Sequence, residues 1–169
     1  IEQLTQGRAE GRTHVEESPV GSSGSNGIVE RKIQWVEGQM RTMLSAMEAR
    51  LKCKVDAKEK LVVFMAEYVA YVQCRLEVGQ DGKTAYERMK GKSAKVLGVE
   101  FGEKLLWKVK TKSGKMEKLK PRWEYGIFVG VRPRSGELLV STRSGTMKTR
   151  SVRRIPVEQR WSEDSLTWV

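Results

Sequence analysis

The sequence is poor in the residues that build metal sites and disulfide frameworks. It contains two cysteines, Cys53 and Cys74, and a single histidine, His14. No Cys-x-x-Cys pair or second histidine is present, so a structural zinc site is disfavoured. We expect both thiols to be buried and reduced, as in a nuclear or cytoplasmic protein. His14 is expected to have a structural role.

Long apolar runs are missing as well. No stretch approaches the ~20 residues that a membrane-spanning helix requires. The first residues also lack the basic-then-apolar order of a secretory signal. Apolar residues make up 38% of the 169-residue chain, which is below the usual share and suits modest cores in one domain or two small ones. We therefore expect an intracellular protein without a membrane partner.

Positive charge is abundant and unevenly placed. The formal net charge is +11, and the segment from Lys104 to Arg160 holds 16 basic residues against four acidic ones. Such a block attracts polyanions and binds phosphates with release of counterions. The alternative is a solvated basic surface without a partner.

A long amphipathic helix is predicted from Gly27 to Leu51. Its apolar residues recur at steps of three and four, which places them on one face. They are Val29, Ile33, Val36, Met40, Met43, Leu44, Met47 and Leu51. Glu30 falls at the edge of this face in the first turn, just after a glycine- and serine-rich loop. A first-turn acid often serves only to complement the helix dipole, and that is its simplest interpretation.

Two further helices are predicted. One runs from Leu61 to Leu76 after an acid-x-x-Glu capping box at residues 56–59. It is apolar on almost every side, so we expect it to need further protein partners and the isolated chain to be poorly soluble or oligomeric. The other is a short helix that opens with the capping box Thr84 to Glu87 and stops at Gly91. The basic linker 90–95 (KGKSAK) lacks the earlier glycine and the preceding strand of a phosphate-binding loop, so we expect no nucleotide cofactor.

From Val99 onward the apolar period changes to two. Leu105, Trp107 and Val109 are predicted to face inward, and the intervening lysines 104, 108 and 110 to face solvent. Glycine turns separate four or five short strands, and the last strand is expected to extend from Met147 to Ile155. This spacing predicts a small antiparallel barrel. The acidic tail, residues 161–169, is expected to be loosely ordered.

Three segments resemble copia-type retroelement integrases, in the same order as in those polyproteins. They are residues 26–31 (NGIVER) with 39–44 (QMRTML), residues 82–87 (GKTAYE), and residues 120–130 (KPRWEYGIFVG). The resemblance covers nearly the whole chain, although Ala85 departs from the proline that is common in the family. It implies an α+β chain: residues 1–95 as the C-terminal remnant of a ribonuclease-H-like catalytic core, and 96–160 as a Src-homology-type β-barrel.

The resemblance also implies a catalytic role for Glu30. The matching glutamate in the family is the third member of an acidic triad that binds Mg²⁺ or Mn²⁺ and acts on DNA phosphodiesters. The first two members are upstream aspartates, whereas this sequence has only glutamates before the loop, at positions 2, 10, 16 and 17. We therefore expect no integrase activity from this chain alone.

The basic segments supply the candidate DNA contacts. They are Arg31, Arg41, Lys104, Lys108, Lys110, Lys112, Arg150, Arg153 and Arg154. Trp107 and Trp123 are candidates for stacking on bases, although burial explains tryptophans of this kind better. The expected partners are DNA and either a second copy or the rest of the polyprotein. Two alternatives remain open: a non-catalytic, sequence-nonspecific nucleic-acid-binding module, and a decayed relic of the element.

Overall fold

The computed structural model describes residues 26–95, 98–110, 119 and 121–169. The interpretations of His14, Lys112, the glycine- and serine-rich loop and the four early glutamates lie outside these residues. The chain divides into two compact units, Ile1–Trp35 and Val36–Val169. The boundary between them falls within the first helix, and each unit is described by itself below.

The described part of the chain contains three α-helices and one five-stranded antiparallel sheet, which confirms a mixed α+β architecture. The helices are α1 Gly27–Leu51, α2 Lys60–Leu76 and α3 Ala85–Lys90. The strands are β1 Lys104–Lys108, β2 Trp123–Val131, β3 Leu138–Thr142, β4 Gly145–Thr149 and β5 Val152–Arg154. Among these residues no helix has the length and apolar character needed to cross a bilayer.

Helix α1 has the predicted bounds, but only its second half contributes to a core. Met47 and Leu51 are buried, and Met43 and Leu44 are half-buried. Within the first unit, Val29 and Ile33 are exposed. Among the described residues, the apolar face predicted for this helix is therefore covered in its second half and exposed at Val29 and Ile33.

Helix α2 packs one side against the sheet. Its Tyr68 stacks on Phe101 with ring centroids 5.5 Å apart and meets Phe128 of β2 edge-on at 5.4 Å. Residues on both sides of position 95 therefore share one hydrophobic core. Val63 and Leu76 are exposed, so the described residues leave part of this apolar helix uncovered.

Only one of the two predicted capping boxes forms. The Glu87 backbone N–H donates to Thr84 Oγ1, the Thr84 backbone N–H donates to the Glu87 carboxylate, and Gly91 ends α3 in the left-handed conformation at φ +66°. At α2 the N-cap is Glu59, which makes no side-chain cap hydrogen bond. Asp56 instead accepts from the Lys58 backbone N–H at 2.8 Å, closing a local turn.

The sheet order is β4-β3-β2-β1-β5. β1 alternates as predicted, with Leu105 and Trp107 buried and Lys108 exposed. The expected last strand is two strands: β4 pairs with β3, and β5 pairs with β1 at the other end of the order. Only residues 150 and 151 connect β4 to β5, so the two edges of the sheet must lie close together and the sheet must curl. No β4–β5 ladder is present among the described residues.

The acidic tail is more ordered than expected. A 3-10 helix spans Glu163–Trp168, and the Ser141 hydroxyl of β3 donates to the Trp168 carbonyl oxygen at 2.6 Å. This hydrogen bond attaches the tail to strand β3.

Candidate nucleic-acid interface

One face of the sheet carries basic and aromatic side chains together. In the β1–β2 register, Lys108 lies opposite Trp123 and Leu106 lies opposite Tyr125, while Leu106 also lies opposite Arg153 of β5. Because directly paired residues and residues two apart share a face, these side chains lie on the same side. We call Lys104, Lys108, Trp123, Tyr125 and Arg153 the basic sheet face.

Two cations of this face, Lys104 and Arg153, lie against its rings. The Lys104 ammonium is 5.1 Å from the centroid of the Tyr125 ring, and the Arg153 guanidinium carbon is 4.3 Å from that of Trp123. Such contacts are attractive because the ring face is electron-rich. Tyr125 is 50% exposed and Trp123 is half-buried, so both rings keep surface toward solvent.

The tail helix and the β3–β4 turn extend the basic sheet face. Trp168 lies 5.4 Å from the Lys104 ammonium and 5.2 Å from the Arg143 guanidinium carbon. Arg143 is exposed. The face thus combines three tyrosine or tryptophan rings with four cations in the second unit, an arrangement suited to phosphates beside unstacked bases.

Arg154 belongs to a different environment. Its guanidinium forms two hydrogen bonds of 2.7 Å with the carboxylate of Glu103, whose side chain is fully buried. Arg160 approaches the same carboxylate at 3.4 Å. The bond to Glu103 raises the pKa of Arg154 above its already high value. Arg154 therefore contributes to the fold through Glu103, and its role as a phosphate contact stays a prediction.

Two other predicted cations lie away from the paired strands. Lys110 forms an ion pair with Glu137, and this hydrogen bond lowers the pKa of Glu137. Arg150 is exposed at the corner between β4 and β5. Lys110 is therefore partly neutralised, and the charge of Arg150 also acts on Glu137 and helps to lower its pKa.

The candidates on α1 are exposed. Glu30 and Arg31 lie in the first turns, within the first unit. Arg41, in the second unit, is 3.7 Å from Glu37 in an i,i+4 pair on the surface. In the described part of the chain no group of three His, Cys, Asp or Glu side chains is placed to hold a metal ion. The described residues alone therefore do not make a Mg²⁺ or Mn²⁺ site around Glu30, and we derive no metal-dependent step.

Several residues of this region were missed from the sequence. No sequence pattern singles out Arg143, Tyr125 or Trp168 as a binding residue. Glu103 was not recognised as a core residue. No aromatic residue lies within ten positions of Arg143 in the sequence, so nothing local marks either Arg143 or Glu103.

Comparisons with protein-family models, with curated proteins and with solved structures give no significant match.

Proposed function

We propose that the chain binds nucleic acid through the basic sheet face, without sequence preference. The observation that carries this proposal is the set of four cation–ring contacts on one side of the sheet, at 4.3–5.4 Å. Lysines and arginines there supply phosphate contacts, and the exposed part of Tyr125 supplies a stacking surface. The buried Trp107 plays no part in binding.

Several features support this function over a solvated basic surface. Lys104, Arg143 and Arg153 are held against rings, so these three side chains lose less conformational freedom on binding. No ion pair is recorded for Lys108, Arg143 or Arg153 among the described residues. The electrostatic attraction of this face for phosphates is therefore not cancelled internally.

We further propose that the chain is the rear part of a copia-type retroelement integrase, with a Src-homology-type sheet after a ribonuclease-H-like remnant. The proposal depends on the three sequence segments. The exposed position of Glu30 in a first helical turn and the strongly curled antiparallel sheet are compatible with it. In this interpretation the basic sheet face holds DNA.

Removing three charges from the basic sheet face should weaken DNA binding and its salt dependence. For the triple variant Lys104→Gln/Lys108→Gln/Arg153→Gln we expect the slope of log K against log salt to fall in magnitude by about 2–3, at roughly 0.9 per phosphate contact. Fluorescence anisotropy with a labelled 20-mer at several salt concentrations measures this slope.

The control removes the same charge elsewhere. Lys52, Lys58 and Lys60 are exposed at the end of α1, in the link to α2 and at the start of α2, and their triple glutamine variant should keep the slope of the parent chain. Equal slopes for the two triple variants would contradict the assignment to the basic sheet face.

The integrase proposal is tested at Glu30. In a polypeptide that joins this chain to the two upstream aspartates of the family, Glu30→Gln should abolish DNA strand transfer while leaving DNA binding intact. Glu37→Gln, an exposed acid on the same helix, should leave strand transfer unchanged. Undiminished strand transfer by Glu30→Gln would refute the role of this carboxylate.

A further inference from the structure

A second basic region lies in a cavity of about 430 Å³ between α2, the end of α3 and the β2–β3 turn. Five cations line it, from three separate parts of the chain. They are Arg75, Lys90, Lys92, Lys95 and Arg134. The cavity contains none of the residues of the basic sheet face.

Arg75 is held in place at the wall of this cavity. Its guanidinium carbon lies 3.5 Å from the ring centroid of Tyr71 and 4.8 Å from that of Tyr86. Its Nη1 donates to the Tyr71 carbonyl oxygen at 3.2 Å. These contacts leave the other guanidinium N–H groups for a ligand, and a planar fork of this kind matches phosphate oxygens.

The basic linker after α3 is fixed at the mouth of the cavity. Gly91 ends the helix in the left-handed conformation, and Ser93 then donates to Glu87 at 2.6 Å. This bond is the main reason why the pKa of Glu87 is lowered. The cap of α3 thus positions the linker 90–95 at the same cavity as Arg75.

The balance of charge in the cavity is strongly positive. No acidic residue lines the cavity. Two of its serines donate hydrogen bonds to carboxylates outside the lining: Ser93 to Glu87 and Ser135 to Glu137. Glu137 is itself paired with Lys110. No ion pair is recorded for the five lining cations among the described residues. A concave site with this excess focuses its potential on a multiply charged anion.

We propose that this cavity binds a compact, multiply phosphorylated small molecule. Its volume falls in the range of small-ligand sites. Tyr71 and Tyr86 already contact the Arg75 guanidinium, and Tyr71 also stacks with Tyr68 at 6.0 Å. We therefore assign recognition to the phosphate groups rather than to stacking of a base. The proposal does not depend on DNA binding by the basic sheet face.

Calorimetric titration with inorganic tripolyphosphate tests the proposal. The parent chain should bind this anion, and Lys92→Gln/Arg134→Gln should bind it at least about tenfold more weakly, since each lost charge-assisted contact is a large part of the affinity. Both side chains are exposed, so the fold is not at risk. Arg75→Gln, with its melting temperature measured alongside, should weaken binding likewise. The matched double variant Lys58→Gln/Lys60→Gln should bind like the parent.

Two further titrations distinguish the ligand class. ATP should bind with an affinity similar to that of tripolyphosphate, and the triple variant of the basic sheet face should keep its tripolyphosphate affinity. Absence of tripolyphosphate binding, or binding unchanged in Lys92→Gln/Arg134→Gln, would overturn the proposal. It would also be overturned if this double variant weakened DNA binding as much as the sheet triple variant does, because the cavity would then be part of the DNA surface.

Discussion

Replacing Glu103 by alanine is expected to lower the free energy of unfolding by about 2–3 kcal/mol, because it removes the buried carboxylate that bonds Arg154, which is 36% exposed, and approaches Arg160, which is 19% exposed. The Glu103 side chain is 0% exposed and accepts two hydrogen bonds of 2.7 Å from Arg154. It also accepts from the Glu100 backbone N–H at 3.1 Å and lies 3.4 Å from Arg160. Removing the carboxylate therefore breaks the contacts that join three parts of the chain: β5, the segment before β1, and Arg160.

Chemical denaturation followed by circular dichroism measures this loss, and Glu100→Ala is the matched control. Glu100 lies three residues earlier and forms an ion pair with Arg50 at 2.7 Å, but its side chain is 44% exposed. Exposed pairs contribute only about 0–1 kcal/mol. If the two alanine variants lost the same small amount, Glu103 would not hold the sheet to the segment before it.

The elements of this fold were largely predictable because their signals are local. Three- and four-residue apolar steps predicted α1 with its observed bounds, and the Thr84–Glu87 capping box predicted the start of α3. Two-residue alternation placed Leu105 and Trp107 inside. These patterns depend only on residues that are close together in the sequence, so they can be read without knowing the fold.

The division of the last strand was not predictable in this way. Thr149 uses its hydroxyl to donate to the carbonyl oxygens of Lys108, at 3.1 Å, and Ser151, at 3.2 Å, and it accepts from the Ser151 backbone N–H. These bonds form a corner that sends β5 to the opposite edge of the sheet. One partner lies 41 residues away, so no local pattern reveals the corner.

The candidate site shows the same limit at two adjacent arginines. Arg153 and Arg154 are consecutive, so their side chains point to opposite faces of β5. The register with β1 places Arg153 opposite Leu106 and Arg154 opposite the buried Leu105. Only this register shows that Arg153 is available to a ligand while Arg154 is committed to Glu103. The sequence grouped the two as equivalent phosphate contacts.

Replacing Phe128 by alanine should destabilise α2 and the sheet together, by about 3–5 kcal/mol. Phe128 is 1% exposed and meets Tyr68 of α2 edge-on. Its loss leaves a cavity at the junction of the helix and β2, and it removes an aromatic contact that also involves Phe101 through Tyr68. Both the helical and the sheet part of the second unit should therefore respond to this one change.

Parallel denaturation curves decide whether these parts fold as one. Helix signal at 222 nm and tryptophan fluorescence, to which the buried Trp107 contributes, should give coincident transitions in the parent chain and in Phe128→Ala. Tyr125→Ala, on the same strand but at a half-exposed ring, should change the free energy of unfolding much less. Transitions that separate, with only the fluorescence curve shifted by Phe128→Ala, would instead support two folding domains that meet at residue 95, as the sequence predicted. Coincident transitions would make α2 part of the sheet's own core, and the unit that presents the basic sheet face would then include the helix.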